Sequence, residues 1–88
     1  MPEGGYVVTF AQSARREIER LPANIVNRVF PRIELLALEP RPPGCRKIVG
    51  AERLWRVRVG DYRVIYEISD EERTVDIIAV RHRSQAYR

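Results

Sequence analysis

The chain has 88 residues, of which 44% are hydrophobic and 32% charged, and this composition is typical of one small folded domain over residues 1–88 rather than of a disordered segment. No apolar run approaches the ~20 residues that a membrane span requires. The segment 1–5 lacks the basic and apolar regions of a signal peptide, so we expect a cytoplasmic protein. Because Cys45 is the only cysteine, the composition excludes an internal disulfide and a thiolate metal cluster.

The net charge of +4 is distributed unevenly along the chain. Residues 1–40 are neutral, residues 41–63 sum to +5, residues 64–80 to −4 and residues 81–88 to +3. All but one of the 16 basic residues are arginine, whose planar guanidinium is a good multidentate phosphate ligand. A GC-rich genome also replaces lysine with arginine, so the position of the charge carries more weight than the arginine content. The position indicates a basic surface built by the second half of the chain.

The first half of the chain begins with a predicted strand and helix. The segment 5–10 is typical of a short strand, and Thr9 with Gln12 fits the capping box that begins a helix. This helix should end near Leu21, with apolar residues on one face at helical spacing and charged residues on the other.

A second helix is predicted from about Pro22 to Leu38. Its inward stripe, at helical spacing, consists of Ile25, Val29, Ile33 and Leu36. Pro31 lies near its middle, where the missing N–H and the ring should kink or break the helix. Neither helix carries a pattern that suggests chemistry, so we interpret the pair as a structural hairpin.

Three strands are predicted for the second half, at about 54–59, 62–69 and 74–80. A short ordered segment at about 46–50 should precede them. Gly60-Asp61 is a two-residue hairpin turn with glycine first. The order β-α-α-β-β-β therefore predicts an α+β fold, with a small, mainly antiparallel, twisted sheet and a two-helix hairpin packed on one of its faces.

Arginines lie inside these strands, where β-branched and aromatic residues are favoured. A two-residue turn at 60–61 places Arg58 directly opposite Arg63 on the sheet face that points away from the helices, with Arg56 two residues along. Like charges in this position destabilise a sheet, and a polyanion lying across the face would relieve the repulsion. The alternative is a solvated basic face balanced by Glu67, by Asp76 or by an acidic partner protein.

The sequence allows two positions for Arg81. A four-residue turn at 70–73 would pair Arg81 with Tyr62 and place it on the core face. Either a β-bulge shifts the register, or the strand ends before Arg81 and the chain turns there.

The side chains available for chemistry are few. The sequence offers no metal-ligand cluster, no cysteine–histidine pair of defined spacing and no glycine-rich phosphate loop, so we expect no cofactor and no metal. Several fixed cations and a tyrosine remain, a set suited to stabilising a phosphorane-like transition state. An arginine or tyrosine acts as a base or acid only where neighbouring cations perturb its pKa.

Over nearly its whole length the chain resembles the RelE/ParE superfamily of bacterial type II toxins. The resemblance rests on Leu21-Pro22, on Leu38-Glu39-Pro40, on the strand 55–59, on the hairpin Gly-Asp-Tyr-Arg-Val-Ile-Tyr at 60–66, and on the ending at 80–87. The hairpin is shared by both branches of the superfamily. The Arg-x-Arg-x-x-x-Tyr ending is similar to the RelE branch, whose members cleave mRNA in the ribosomal A site.

The resemblance implies a role for five residues of a catalytic set. Arg56 and Arg58 match paired basic residues, lysines in some relatives, that position RNA and assist activation of the 2′-hydroxyl. Arg63 matches an arginine that stabilises charge on the scissile phosphate, and Arg81 one that stabilises charge or protonates the leaving group. Tyr87 matches a tyrosine that orients or stacks on the mRNA and is also a candidate for proton transfer. Because arginine is a poorer general base than lysine, the base is left unassigned.

Four further residues of the basic half are expected to bind the substrate. They are Lys47, Arg53, His82 and Arg83. The histidine stands beside Arg81, which makes it worth testing in proton transfer, although a solvated tail histidine is the simpler interpretation.

The resemblance also implies partners and competing functions. A RelE-like toxin would act with the 70S ribosome and mRNA, would be neutralised by a RelB-like antitoxin in a hetero-oligomer, and would require neither metal nor membrane. A ParE-like toxin would instead inhibit DNA gyrase without nuclease chemistry. A third hypothesis is an inactive fold that serves as an RNA- or protein-binding module.

Overall fold

The computed structural model describes residues 5–86, with side chains described through Ser84. Its elements, in chain order, are β1 (Val7–Phe10), α1 (Gln12–Glu19), α2 (Ala23–Leu35), β2 (Arg46–Lys47), β3 (Leu54–Val59), β4 (Tyr62–Ser69), β5 (Thr74–His82) and α3 (Arg83–Ala86). None of the helices within this part of the chain is long and apolar enough to cross a lipid bilayer.

The strands form one five-stranded sheet in the order β1-β5-β4-β3-β2. The first strand runs parallel to β5, whereas the other neighbouring pairs are antiparallel. The predicted α+β architecture is confirmed, and the short segment before the meander becomes β2. The four-residue α3 was not predicted.

The hydrophobic core lies between the two long helices and one face of the sheet. It combines Ala14 of α1 and the α2 stripe of Val29, Ile33 and Leu36 with alternate strand residues from Val57 to Val80. Tyr66 is fully buried within it, and its phenol donates a 2.8 Å hydrogen bond to the carbonyl of Pro40. Burial raises the pKa of Tyr66, so the phenol stays neutral and remains a donor.

One local prediction for the helices was wrong, and of the two alternatives at Pro31 the break does not occur. Thr9 is not an N-cap, because β1 continues through Phe10 and its pairing with Ile77 holds Thr9 in the sheet. There the Thr9 hydroxyl donates to Oδ1 of Asp76 at 2.8 Å, and the helix begins after Ala11 without a side-chain cap. Helix α2 is not broken at Pro31 and continues to Leu35.

Candidate functional site

A β-bulge determines where Arg81 lies. Strands β4 and β5 pair Tyr66 with Ile77 but Ile65 with Ala79, so one extra residue of β5 is left between the two pairs. Beyond this bulge the register places Arg81 opposite Arg63. The bulge is therefore the alternative that turns Arg81 away from the core and onto the face of the other arginines.

Three arginines consequently form a row across the sheet face opposite the helices. Arg58 of β3 lies directly opposite Arg63 of β4, which confirms the pairing predicted from the two-residue turn at 60–61. Arg63 in turn lies opposite Arg81 of β5. Adjacent strands are about 4.8 Å apart, so the Cα atoms of the three arginines lie along a line of about 10 Å. We call Arg58, Arg63 and Arg81 the arginine row.

A second pair of arginines stands beside the row. Arg46 of β2 lies opposite Arg56 of β3, so this face holds another like-charge pair. An open cavity of about 310 Å³ lies where the two pairs meet, and it is lined by Arg32, Pro43, Gly44, Arg46, Arg56, Val57, Arg58 and Arg63. Among these described lining residues five are arginines and none is acidic, so the potential inside the cavity favours an anion.

Sequence reasoning missed Arg32 and Arg46 as residues of this cavity. Arg46 lies in the basic segment 41–63, but its facing partner depends on the path of a loop that no local pattern specifies. Arg32 lies on the exposed side of α2, and only the packing of the helix beside β3 brings it to the cavity. No signal in the sequence would have joined these two residues.

Glu17 of α1 is a further residue that the sequence did not reveal. Its Oε2 accepts a 2.9 Å hydrogen bond from Nε of Arg81, and its Oε1 accepts a 3.0 Å bond from the backbone N–H of Val80. One turn earlier, Ser13 donates to the carbonyl of Ile78 at 2.7 Å. Helix α1 thus covers the edge of β5 beyond the end of β1 and fixes the stem of Arg81.

The acidic residues of the same face lie apart from the row. Glu67 and Asp76 are opposite each other in β4 and β5, and Asp76 is engaged by Thr9. Glu67 is four positions from Arg63 along the strand, about 13 Å at the rise of a β-strand. The face therefore has a basic end and an acidic end.

The four residues expected to bind substrate lie outside the arginine-lined cavity. Lys47 is opposite Trp55 on the helix side of the sheet, and Arg53 lies in the loop before β3. His82 is opposite Tyr62, packs edge-on against its ring at 5.3 Å, and shares a 3.0 Å hydrogen bond with Ser84.

Arg83 and Tyr87 complete the residues named from the sequence. Arg83 begins α3, and its backbone N–H donates to the carbonyl of Asp61 at 2.7 Å. Tyr87 lies outside the described residues. The structure thus brings together Arg56, Arg58, Arg63 and Arg81, and it adds Arg32, Arg46 and Glu17 to them.

Comparison with known proteins gives the same family at the level of sequence. Residues 8–87 match a family model described as the ParE toxin of the type II toxin–antitoxin system parDE. The chain is 36% identical over 87 residues to Toxin RelG of Mycobacterium tuberculosis, covering 94% of this chain and 97% of RelG. It is 37% identical over 87 residues to Toxin RelE of the same organism, covering 94% of this chain and 87% of RelE.

Solved structures extend the similarity to the fold. The toxin–antitoxin complex RelBE2 from M. tuberculosis contains a chain that superposes with a TM-score of 0.79 at 32% identity. The match covers 89% of this chain and 98% of that one. The similarity therefore includes the sheet that carries the arginine row.

Proposed function

The chain belongs to the RelE/ParE superfamily of type II toxin–antitoxin toxins, and we propose that it is a RelE-like, ribosome-dependent mRNA endoribonuclease. The observation that carries the proposal is the arginine row, with Arg56 beside it. A surface that holds like charges directly opposite each other loses stability, and an RNA phosphate in the row would restore it. Relatives of RelE type at more than 30% identity support the choice of branch.

The reaction proposed is attack of a ribose 2′-oxygen on its own 3′-phosphate. A bond forms from the 2′-oxygen to phosphorus while the bond to the 5′-oxygen of the next nucleotide breaks. The 2′-hydroxyl loses its proton to solvent and the 5′-oxygen gains one from solvent, which leaves a 2′,3′-cyclic phosphate and a 5′-hydroxyl. Negative charge accumulates on the non-bridging oxygens in the transition state. Guanidinium groups fixed before the reaction stabilise that charge without having to reorganise.

Each residue of the site has a distinct part in this scheme. Arg63, at the centre of the row, and Arg81 bind the oxygens on which charge develops. Arg56 and Arg58 hold the flanking RNA. Tyr87, outside the described residues, is assigned the stacking role that the family resemblance implies. Glu17 acts through Arg81, because it holds Nε and leaves the terminal nitrogens of the guanidinium for the phosphate.

A ribosome would add alignment to what the arginines of the site contribute. Arginine keeps its proton below a pH of about 12, so these arginines contribute charge stabilisation rather than a general base. Holding the 2′-oxygen in line with the leaving oxygen is worth several orders of magnitude in rate. We propose that the ribosome, by fixing the mRNA in the A site, provides this alignment.

Primer extension on mRNA in a translating extract tests the proposal. The wild-type chain should produce cuts at fixed codon positions, the cuts should disappear when ribosomes are removed, and Arg63→Ala and Arg81→Ala should abolish them. Arg15→Ala, a change on the exposed side of α1, is the matched control and should leave cleavage intact. Intact mRNA with the wild-type chain would disprove the nuclease.

Inhibition of DNA gyrase is the second candidate, because the matching family model is that of ParE. It predicts DNA breaks that depend on gyrase, together with unaltered mRNA, in cells expressing the chain. Either function would be restrained by an antitoxin, and RelB-like proteins are the type we propose. Such a protein should carry acidic residues that reach the arginine row.

A further inference from the structure

The cavity beside the row contains two arginines to which the proposed reaction assigns no role. Arg32 projects from α2 and Arg46 from β2, and both line the cavity together with Arg58. Arg32 and Arg46 are exposed, and no described carboxylate lies within salt-bridge distance of either one. Two such charges beside a phosphate site are suited to a second anion.

The edge of β3 supplies a backbone donor at the same point. In an antiparallel sheet the backbone N–H and C=O groups of every second residue point to the same neighbouring strand. In β3 the carbonyl of Leu54 accepts from the N–H of Ile48 at 2.9 Å, and Arg56 lies opposite Arg46. The N–H and C=O of Arg58, two residues further along, therefore also point toward the β2 side. Strand β2 begins only at Arg46, so its pairing stops before Arg58.

The backbone of the preceding loop leaves this edge accessible. If β2 were two residues longer, Gly44 would lie opposite Arg58. Gly44 instead has a φ of +91° and lies outside the strand. A Cβ placed on it would meet nothing within 4 Å. Among the described turn and loop carbonyls, none accepts a hydrogen bond from the N–H of Arg58, and Arg58 lines the cavity together with the other arginines.

A phosphate suits this site better than a protein strand. A strand that adds to a sheet edge is held by a ladder of backbone bonds, but only Arg58 presents its backbone here, between the pair at Arg56 and the turn at Gly60. The carbonyl of Arg58 points the same way, but the N–H and the guanidinium groups around it outnumber this acceptor, so the site favours a single phosphodiester.

This phosphate is distinct from the one at which cleavage is proposed. Arg81 is tied by Glu17 to the outer edge of β5, whereas Arg46 lies three strands away, about 14 Å across the sheet. Hydrogen bonds act over about 3 Å, so a group held between Arg63 and Arg81 is not also held by Arg32. Two linked phosphates of one chain can occupy both places.

We propose that Arg32, Arg46 and the backbone N–H of Arg58 form a second phosphate subsite, which binds a phosphodiester next to the scissile one in single-stranded RNA. The inference rests on the proposed function, since it takes RNA as the substrate. It adds two cavity arginines and one backbone N–H to the groups that hold the flanking RNA, and it places the phosphate that they bind.

The test measures binding of the full-length chain to oligoribonucleotides that cannot be cleaved because every 2′-oxygen is methylated. A dinucleotide fills only the scissile position, whereas a hexanucleotide also reaches the second subsite. Affinities are measured at several salt concentrations for the wild type, for Arg32→Ala/Arg46→Ala and for Arg15→Ala/Arg16→Ala. The last variant removes the same charge from α1, away from the cavity, and so controls for the net field.

The expected result is a roughly tenfold loss of hexanucleotide affinity in Arg32→Ala/Arg46→Ala. The slope of log affinity against log salt should flatten by about 0.7, the value of one single-strand phosphate contact. Dinucleotide affinity should equal that of the control variant. The variant's thermal unfolding must match that of the wild type, and Arg32→Lys/Arg46→Lys should restore most of the slope.

Three results would overturn the subsite. The control variant could lose as much hexanucleotide affinity as Arg32→Ala/Arg46→Ala, or the wild type could bind both oligonucleotides equally or not at all. The double variant could also bind RNA normally and lose affinity only for an acidic antitoxin peptide, which would assign the cavity to a protein. Each of these binding results is independent of the cleavage assay. If one of them is obtained while the wild-type chain still cuts mRNA at fixed codon positions, the subsite is refuted and the proposed nuclease is not.

Discussion

Two regions of the sheet are rich in arginine, and they differ in the residues that lie next to the arginines. At the end near the β4–β5 turn, Arg41 binds Asp70 through two nitrogens at 3.0 and 3.3 Å and lies 5.1 Å from the ring centre of Trp55. Arg73 lies 5.0 Å from the ring centre of Tyr6, whose hydroxyl donates to Asp70 at 2.6 Å. Each charge here has a partner on another segment of the chain, so the cluster ties four segments together.

The other region places arginines against each other. Arg58 faces Arg63, Arg46 faces Arg56, and no acidic residue is among the described lining of their cavity. The comparison teaches that the arginine content of a surface says little about its role. An arginine that binds a carboxylate of a distant segment contributes to folding, whereas arginines set opposite each other concentrate positive charge on one face of the sheet.

The largest expected effect is on the cleavage rate, which should depend on the arginine row and not on the cluster around Asp70. Arg63→Ala should lower ribosome-dependent cleavage by about 10²–10³-fold, the usual consequence of removing one group that stabilises developing charge. Arg41→Ala should leave cleavage unchanged and lower the free energy of unfolding by about 1 kcal/mol, because it loses the contact with Trp55. Cleavage kinetics on programmed ribosomes and thermal unfolding measure the two effects.

Equal loss of cleavage in both variants would break the distinction between the regions. It would mean that Arg41 also contacts RNA, or that the turn cluster shapes the row from a distance. Arg41→Lys would separate these possibilities, since it retains the charge but not the bidentate bond to Asp70.

Glu17 is the exception that sharpens the comparison, because Arg81 belongs to the row and yet has a carboxylate partner. Glu17→Ala should lower the rate constant for cleavage by roughly tenfold with little change in KM, since Arg81 keeps its charge but loses its fixed orientation. The unfolding free energy should fall by about 1–2 kcal/mol, because the N–H of Val80 also loses its acceptor.

Glu17→Gln separates orientation from stability. The amide can accept from only one of the two donors, so partial folding stability should return without full cleavage. If Glu17→Ala cleaved mRNA at the wild-type rate per folded molecule, Glu17 would stabilise the edge of β5 and would have no part in the reaction.

Much of this contrast could be predicted from the sequence, and the reason is local. A two-residue turn at Gly60-Asp61, where Gly60 has a φ of +61°, fixes the pairing of Arg58 with Arg63 without reference to the rest of the fold. The alternation of core and surface residues in β3 and β4 follows from the same register.

What could not be predicted depends on contacts between distant segments. The bulge near Ile65 decides the face of Arg81, and the competing straight register fits the same residues. Glu17 lies 64 residues from Arg81 in sequence, and the capping box at Thr9 failed because pairing of β1 with β5 outweighed a local signal. Sequence periodicity contains none of these pairings.

A smaller effect concerns stability within the row itself. Arg58→Gln removes the repulsion between directly opposed charges, so the free energy of unfolding should rise by up to about 0.5 kcal/mol while cleavage falls. Urea denaturation of the two proteins at low salt is the measurement, and the gain should shrink at high salt. A loss of stability would show that Arg58 already has a stabilising role within the folded chain.

The smallest expected effect lies in the pH dependence of the balanced region. The bond from Arg41, followed by that from Tyr6, holds the pKa of Asp70 below its ordinary 3.8. A depressed pKa means that the ionised carboxylate stabilises the fold at neutral pH, and that this contribution disappears as the pH falls through the folded-state value. Asp70→Asn should therefore melt at a slightly lower temperature than the wild type at pH 7, and the melting temperatures of the two proteins should converge below about pH 4.

Glu71→Gln is the control, because it makes the same charge change in the same turn. It should show no such convergence, because the bonds from Arg41 and Tyr6 are made to Asp70. Parallel melting curves for Asp70→Asn and Glu71→Gln from neutral to acid pH would mean that the cluster adds nothing beyond net charge, and the contrast between the two arginine-rich regions would then rest on the row alone.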